Sequence, residues 1–162
     1  MNYRRIYADG YSYFLTMVTH RREPLLVDKI DLLRYAFALS KKKYDYRINA
    51  IVVLPDHLHM IITPKISIEY SKIISHIKRS FVYGVVGRGA LTPTNNIDES
   101  RKVNLSPSKY NRKHSGIWQE RFYEHTIRDE KDWLEKIEYM KYNPVKHGLV
   151  EDIRDWKYSS FL

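Results

Sequence analysis

The 162-residue sequence contains no cysteine. Disulfides, thiolate metal centres and thiol nucleophiles are therefore excluded, and any metal must be held by histidine, asparagine, glutamine or carboxylates. A reducing compartment suits such a chain. No long apolar run precedes the Ala-Asp-Gly break in MNYRRIYADGYSYFLTMV, so neither a signal peptide nor a membrane-spanning helix is expected, and the cytoplasm is the expected location. There is no internal repeat. Acidic residues are in the minority, 19 Asp+Glu against 28 Lys+Arg, which leaves a formal charge of +9 and a pI near 9.6. A polyanion is the natural partner of such a surface through counterion release, with nucleic acid first. Charge alone names no chemistry, since ribosomal and membrane-surface proteins share it. The length fits one domain with a full hydrophobic core, spanning 1–162.

Residue type and hydrophobic periodicity divide the chain into seven elements, four strands and three helices. Tyr13 to Thr19 is β-branched and aromatic and reads as a strand. Leu25 to Lys43 places Leu26, Ile30, Leu33 and Phe37 at helical spacing, with Asp28 and Asp31 near the front. Arg47 to Leu54 and Leu58 to Thr63 are β-rich runs separated by Pro55-Asp56, a hairpin. Ser67 to Val82 is a second amphipathic helix. The stretch 87–116 changes to Gly, Pro, Ser, Asn and charge, the signature of a long flexible loop. Gln119 to Arg128 alternates as a strand, and Asp129 to Tyr142 has an Asp cap, acidic first turn and apolar stripe of a helix that should stop before Asn143-Pro144. The remainder, with Trp156 and Phe161, should lie on the body as an irregular cover. Strand, helix, hairpin, helix, strand, helix predicts an α+β, ferredoxin-like two-layer sandwich with a mainly antiparallel sheet.

Two constellations could carry chemistry. His57 and His59 are two apart on a predicted strand, so both imidazoles project from one face and Leu58 from the other. Imidazole suits several transition metals, and a site completed by oxygen ligands and phosphate also suits magnesium or manganese. Taken alone, His-x-His on a strand is usually a pair of polar residues facing water. Here it follows a Pro-Asp turn between two strongly apolar runs, where polar side chains need partners. Tyr139 and Asn143, four apart on the last helix, share a face. A tyrosine hydroxyl titrates near 10 in reference peptides and attacks well only where a metal, base or cation favours its phenolate. With 14 tyrosines in the chain, position alone does not single one out, and Tyr142 is the rival.

The blocks VVLPDHLHMI, GIWQERFYEHTIRDEKDW, IEYMKYNPVKHGLV and DWKYSSF, in that order, together with the opening YRRIYADGYSYFLTMVTHRREPLL, resemble the REP-associated tyrosine transposases. These are relatives of the insertion-sequence single-tyrosine transposases within the HUH (His, hydrophobic, His) endonucleases. The resemblance covers nearly the whole chain. It implies that His57 and His59 bind a divalent metal, Mg2+ or Mn2+, with Asn143 as a third ligand, and that Tyr139 is the nucleophile. It further implies attack on a phosphodiester of single-stranded or hairpin-forming DNA, a covalent 5′-phosphotyrosine and a free 3′-hydroxyl, then rejoining by the reverse attack. A monomer is favoured by the nearer relatives, with a homodimer as the alternative.

Arg4, Arg5, Arg21, Arg22, Lys78, Arg79, Lys146 and His147 are candidate phosphate contacts, although each taken singly is an ordinary surface charge. Trp118, Arg121, Phe122, Glu124 and His125 form a dense polar-aromatic block, of which Arg121, Glu124 and His125 are candidate DNA contacts or supports of the site. Two other readings fit parts of the pattern. One is a non-catalytic ferredoxin-like nucleic-acid-binding module, against which the complete His, His, Tyr, Asn set weighs. The other is a relaxase or replication-initiator nickase, whose chains are usually larger.

Overall fold

The structure is a computed structural model, in which residues 9–86 and 116–161 are described. Arg4, Arg5 and the proposed loop, apart from Gly116, lie outside the described residues. Strand β1 (Ser12–Val18), helix α1 (Ile30–Lys43), strands β2 (Tyr46–Val53) and β3 (His57–Pro64), helix α2 (Tyr70–Val86), strand β4 (Tyr123–Ile127) and helix α3 (Glu130–Lys146) follow in chain order. The sheet runs β2-β3-β1-β4, every neighbouring pair antiparallel. With α1 and α2 as its crossovers, this is the ferredoxin-like arrangement that the order of elements predicts.

The sheet's two faces are covered differently. Tyr13, Leu15 and Met17 of β1 and Leu58, Met60 and Ile62 of β3 form one buried cluster with Leu33 and Ala36 of α1 and Ile73, Ile74, Ile77 and Phe81 of α2. Phe14, Ala50, Val52 and Ile61 point the other way and pack with Met140, Trp133 and Ile137 of α3 and with Trp156 and Phe161 of the tail. Period-two alternation along each strand enforces this division.

Four elements differ from the sequence expectation by more than a residue. The first helix begins at Ile30 rather than Leu25. The Leu26 amide is taken by the Pro55 carbonyl at 2.9 Å, so Leu25 and Leu26 stay buried as an anchor beneath the β2–β3 turn. Ser67–Glu69 is a 3-10 turn ahead of α2, which runs on to Val86. The last strand is only Tyr123–Ile127, because Trp118 instead bridges Thr19 and its indole N–H donates to the Lys78 carbonyl.

The fourth correction matters most. Helix α3 does not stop before Asn143-Pro144 but continues through it to Lys146. Its start is as expected: Asp129 caps it, its carboxylate accepting from the Asp132 amide at 2.8 Å. Its end is set by Gly148, at φ +70, whose amide donates to Val145 while that of Leu149 donates to Pro144. That pair of bonds is a Schellman closure, which needs a left-handed residue that glycine supplies without strain. Pro144 lacks one amide donor near the end of the helix, an interruption that the buried packing of its ring tolerates.

The tail covers the β2 edge. The Val53 amide donates to Tyr158, that of Ser160 to Ile51, and the Trp156 indole to Val53 at 2.9 Å. An edge that would otherwise offer free donors is closed. Among the described residues, no helix is long and apolar enough to cross a membrane.

Candidate active site

The β2–β3 turn fixes the histidines. Thr19, fully buried, donates its amide and its hydroxyl to the Asp56 carbonyl, both at 2.9 Å. The Leu54 amide donates to the His57 carbonyl at 2.8 Å, closing the turn. His57 then pairs with Val18 and His59 with Thr16 across the β1–β3 ladder, and both imidazoles face α3.

Each ring is oriented by a polar neighbour. His57 Nδ1 lies 2.6 Å from the Asp56 carboxylate, whose other oxygen accepts from Arg22 at 3.1 Å. Burial pushes the Asp56 carboxyl up, but these bonds from His57 and Arg22 outweigh it and hold the group below the usual carboxylate range. Arg21 and Arg22 both sit at positive φ, 53° and 54°, an uncommon conformation for side-chain-bearing residues that brings Arg22 to Asp56. His59 Nδ1 shares a 2.7 Å hydrogen bond with Thr16 Oγ1. With Nδ1 of both rings engaged, each Nε2 is the nitrogen left for a ligand, the arrangement by which carboxylates and hydroxyls orient metal-binding imidazoles.

Burial, together with the positive neighbours His57, His147 and Lys146, pushes His59 down to about 3. Its imidazole is neutral at physiological pH, as a metal ligand must be. Its Nε2 is buried with no hydrogen-bond partner, and so are both amide atoms of the fully buried Asn143. Buried polar atoms are nearly always satisfied, so orphans on facing elements point to a missing ligand.

Helix α3 lays one stripe across the two histidines. The Tyr139 ring is 5.1 Å from that of His59, and the His147 ring, two turns later, is 5.0 Å from that of His57. Asn143 falls midway on the same stripe. Among the described residues no three His, Asp or Glu side chains converge as an ion site by themselves, so a metal held by His57 and His59 needs a donor of another type. The Asn143 amide oxygen fits that requirement.

The two rival tyrosines separate clearly. Tyr139, 42 % exposed, makes edge contacts with His59 and Phe14 and lies under the Lys146 ammonium at 5.5 Å. Tyr142 is 54 % exposed and, one residue before Asn143, is offset from it by roughly 100° around the helix.

The other sequence candidates scatter. Lys146 and Arg22 border the site. His147 lies closer to it than a surface cation would; burial and the neighbouring His57, only partly offset by Asp56, lower its pKa. Its place on the stripe depends on the helix passing through Pro144, which the sequence pattern does not show. His125 is on the α3 side and binds the Asp132 carboxylate at 2.7 and 2.8 Å, pinning the first turn of α3 to β4. Glu124 pairs with Leu15 and is therefore on the opposite, α1–α2 face, buried. Lys78 donates to the Gln119 carbonyl beside Trp118 and Phe122, and burial brings it down to about 8. Arg21, Arg79 and Arg121 are exposed.

Comparison with known proteins places this geometry. Residues 8–85 match the family described as "Transposase IS200 like". A REP-associated tyrosine transposase of Escherichia coli K12 is 34 % identical over 98 % of this chain and 81 % of its own length. A candidate REP-associated tyrosine transposase of Haemophilus influenzae is 39 % identical over 99 % of this chain and 85 % of its own. The solved structure of a REP-associated tyrosine transposase bound to a REP hairpin superposes with a TM-score of 0.75 at 32 % identity, over 99 % of this chain and 82 % of that one. Whole-chain identity at that level, on the same fold, sets aside the binding-module and relaxase readings: the chain belongs to the REP-associated tyrosine transposases, enzymes that cleave and rejoin DNA strands.

Proposed function

We propose that Tyr139 is the nucleophile of this transposase, and that it acts on a single-stranded phosphodiester flanking a DNA hairpin. The observation that carries the reading is the Tyr139 ring in contact with His59 on the same face as the orphaned Asn143. The phenol must lose its proton to attack, and the Lys146 ammonium over its ring sets a cation beside the place a phosphate would occupy. The Tyr139 oxygen then bonds to phosphorus while the bond from phosphorus to the 3′-oxygen breaks. The 3′-oxygen leaves with a proton from water, and the 5′-phosphate remains on the protein. Attack by a 3′-hydroxyl on that phosphotyrosine reverses the step and frees the phenol, so joining requires no ATP.

His57, His59 and Asn143 would hold a divalent metal, Mg2+ or Mn2+, which when bound supplies Lewis acidity at a phosphoryl oxygen. The remaining roles belong to the chain itself. Asp56 and Thr16 orient the imidazoles, the His125–Asp132 pair fixes the start of α3, and Arg22, Lys146 and His147 border the place of the phosphate. Hairpin DNA as partner is supported by the similarity to the hairpin-bound relative. Tyr139 lies against its own chain's His59, so one chain holds a complete site, and we take the monomer, a single catalytic unit acting on DNA in the cytoplasm, as the working form.

The test is covalent capture. With hairpins from the palindromic repeats of the source genome, the protein should form an adduct with Mg2+ or Mn2+ and none with chelator. Tyr139→Phe should lower adduct formation by about 10^3-fold or more, whereas Tyr142→Phe retains it. An adduct that survives Tyr139→Phe rules out the nucleophile assigned here.

A further inference from the structure

Beside the nucleophile stands a second exposed aromatic that the chemistry above does not use. Tyr123 opens β4 and pairs with Thr16, the residue bonded to His59, so it faces the same side of the sheet as both histidines. It is 54 % exposed. Its ring meets that of Phe14 edge-on, with centroids 6.3 Å apart, and Phe14 meets Tyr139 in the same manner at 6.0 Å. Phe14, only 3 % exposed, is thus the buried spacer between two exposed tyrosines. The Lys136 ammonium sits over Phe14 at 5.2 Å, which adds positive charge to the same patch. Among the described residues β4 is an edge strand, paired only with β1.

We propose that Tyr123 is a positioning residue that stacks on the base of an unpaired nucleotide next to the scissile phosphate. The inference rests on Tyr139 and the histidines being the cleavage site. The chemistry favours a base over other occupants. The patch combines an exposed π-face with a flanking cation, which matches a nucleotide's base and phosphate. A tyrosine ring loses little conformational freedom on binding, and its face takes up a base only where that base has left a duplex stack. Stacking tolerates any base, so Tyr123 holds the strand without reading its sequence.

The probe is a hairpin oligonucleotide with an unpaired thymidine flank carrying one 2-aminopurine, moved through the flank position by position. Binding to the unaltered protein should quench the fluorophore at one position, and Tyr123→Leu should abolish that quenching. In the adduct assay Tyr123→Leu should raise the DNA concentration for half-maximal rate by about tenfold, with the rate at saturation changed less than twofold. Tyr123→Trp should restore both readouts. Quenching by Tyr123→Leu equal to that of the unaltered protein, a loss confined to the saturated rate, or a defect that Tyr123→Trp leaves in place would each overturn the proposal. Failure of the underlying site reading looks different. Tyr139→Phe should keep the quenching and lose the adduct; if it keeps the adduct, the nucleophile assignment fails whatever Tyr123 does.

Discussion

Strand β3 shows almost the same burial on its two faces, yet the faces do unlike things. Leu58, Met60 and Ile62 point into the α1–α2 core and are fully buried. His57 and His59 point towards α3 and are 5 % and 4 % exposed. Burial alone does not distinguish core from site. The distinction lies in polar satisfaction. The first face is closed by apolar packing, whereas the second ends in His59 Nε2 and the Asn143 amide, buried and without hydrogen-bond partners. A fold stabilised by one face can carry an unsatisfied constellation on the other, and that is where a metal and a phosphate would bind.

Three perturbations sharpen the contrast. Leu58→Ala should have the largest effect on stability, about 2–5 kcal/mol in denaturant unfolding, through the cavity left in the α1–α2 core. Adduct formation per folded molecule should be preserved. Asn143→Leu should do the reverse. Replacing an unsatisfied buried amide with an apolar side chain of similar size should stabilise the chelated protein by about 1–3 kcal/mol. It should also abolish the rise in melting temperature that Mn2+ gives the unaltered protein. Destabilisation by Asn143→Leu would mean that the amide is satisfied without a metal.

The smallest effect is the dependence on pH. Burial holds His59 near 3 in the folded protein, against 6.5 in its absence. The unfolded chain therefore binds the proton first. This contribution to stability is intact above pH 6.5 and is lost as pH falls towards 3, at roughly 1 kcal/mol per pH unit. Lowered values at His147 and His76 act in the same direction. Urea unfolding of the chelated protein between pH 7 and 5 should show the slope, and His59→Gln should flatten it. An unchanged slope in that variant would contradict a buried neutral His59.

Much of this architecture is legible in the amino-acid sequence. β-Branched and aromatic runs bounded by turn residues mark β1, β2 and β3 because strands buried on both faces are apolar throughout, and Asp129 marks the start of α3 through its own capping bond. The histidine pair, Tyr139 and Asn143 are legible as a set through the resemblance of ordered blocks. Other features depend on contacts distant in sequence. The late start of α1 follows from an amide of Leu26 bonded to Pro55, and the shortness of β4 from Trp118 bonding to α2. The end of α3 departs from the expectation because a local rule, proline as a stop, yields to Gly148 and to burial of Pro144. The extra turn is what carries His147 to the site. The position of Glu124, on the far face from the histidines, follows from register with Leu15, which no single-strand pattern reveals.

The central claim is that the polar face between β3 and α3 is where the DNA strand is cut. Its most direct test is to digest the adduct formed on hairpin DNA and locate the phosphonucleotide by mass spectrometry. The account predicts a single modified residue, Tyr139, with its peptide unmodified when chelator is present. Modification at Tyr142, at Tyr123 or at any residue away from His57 and His59 would contradict it.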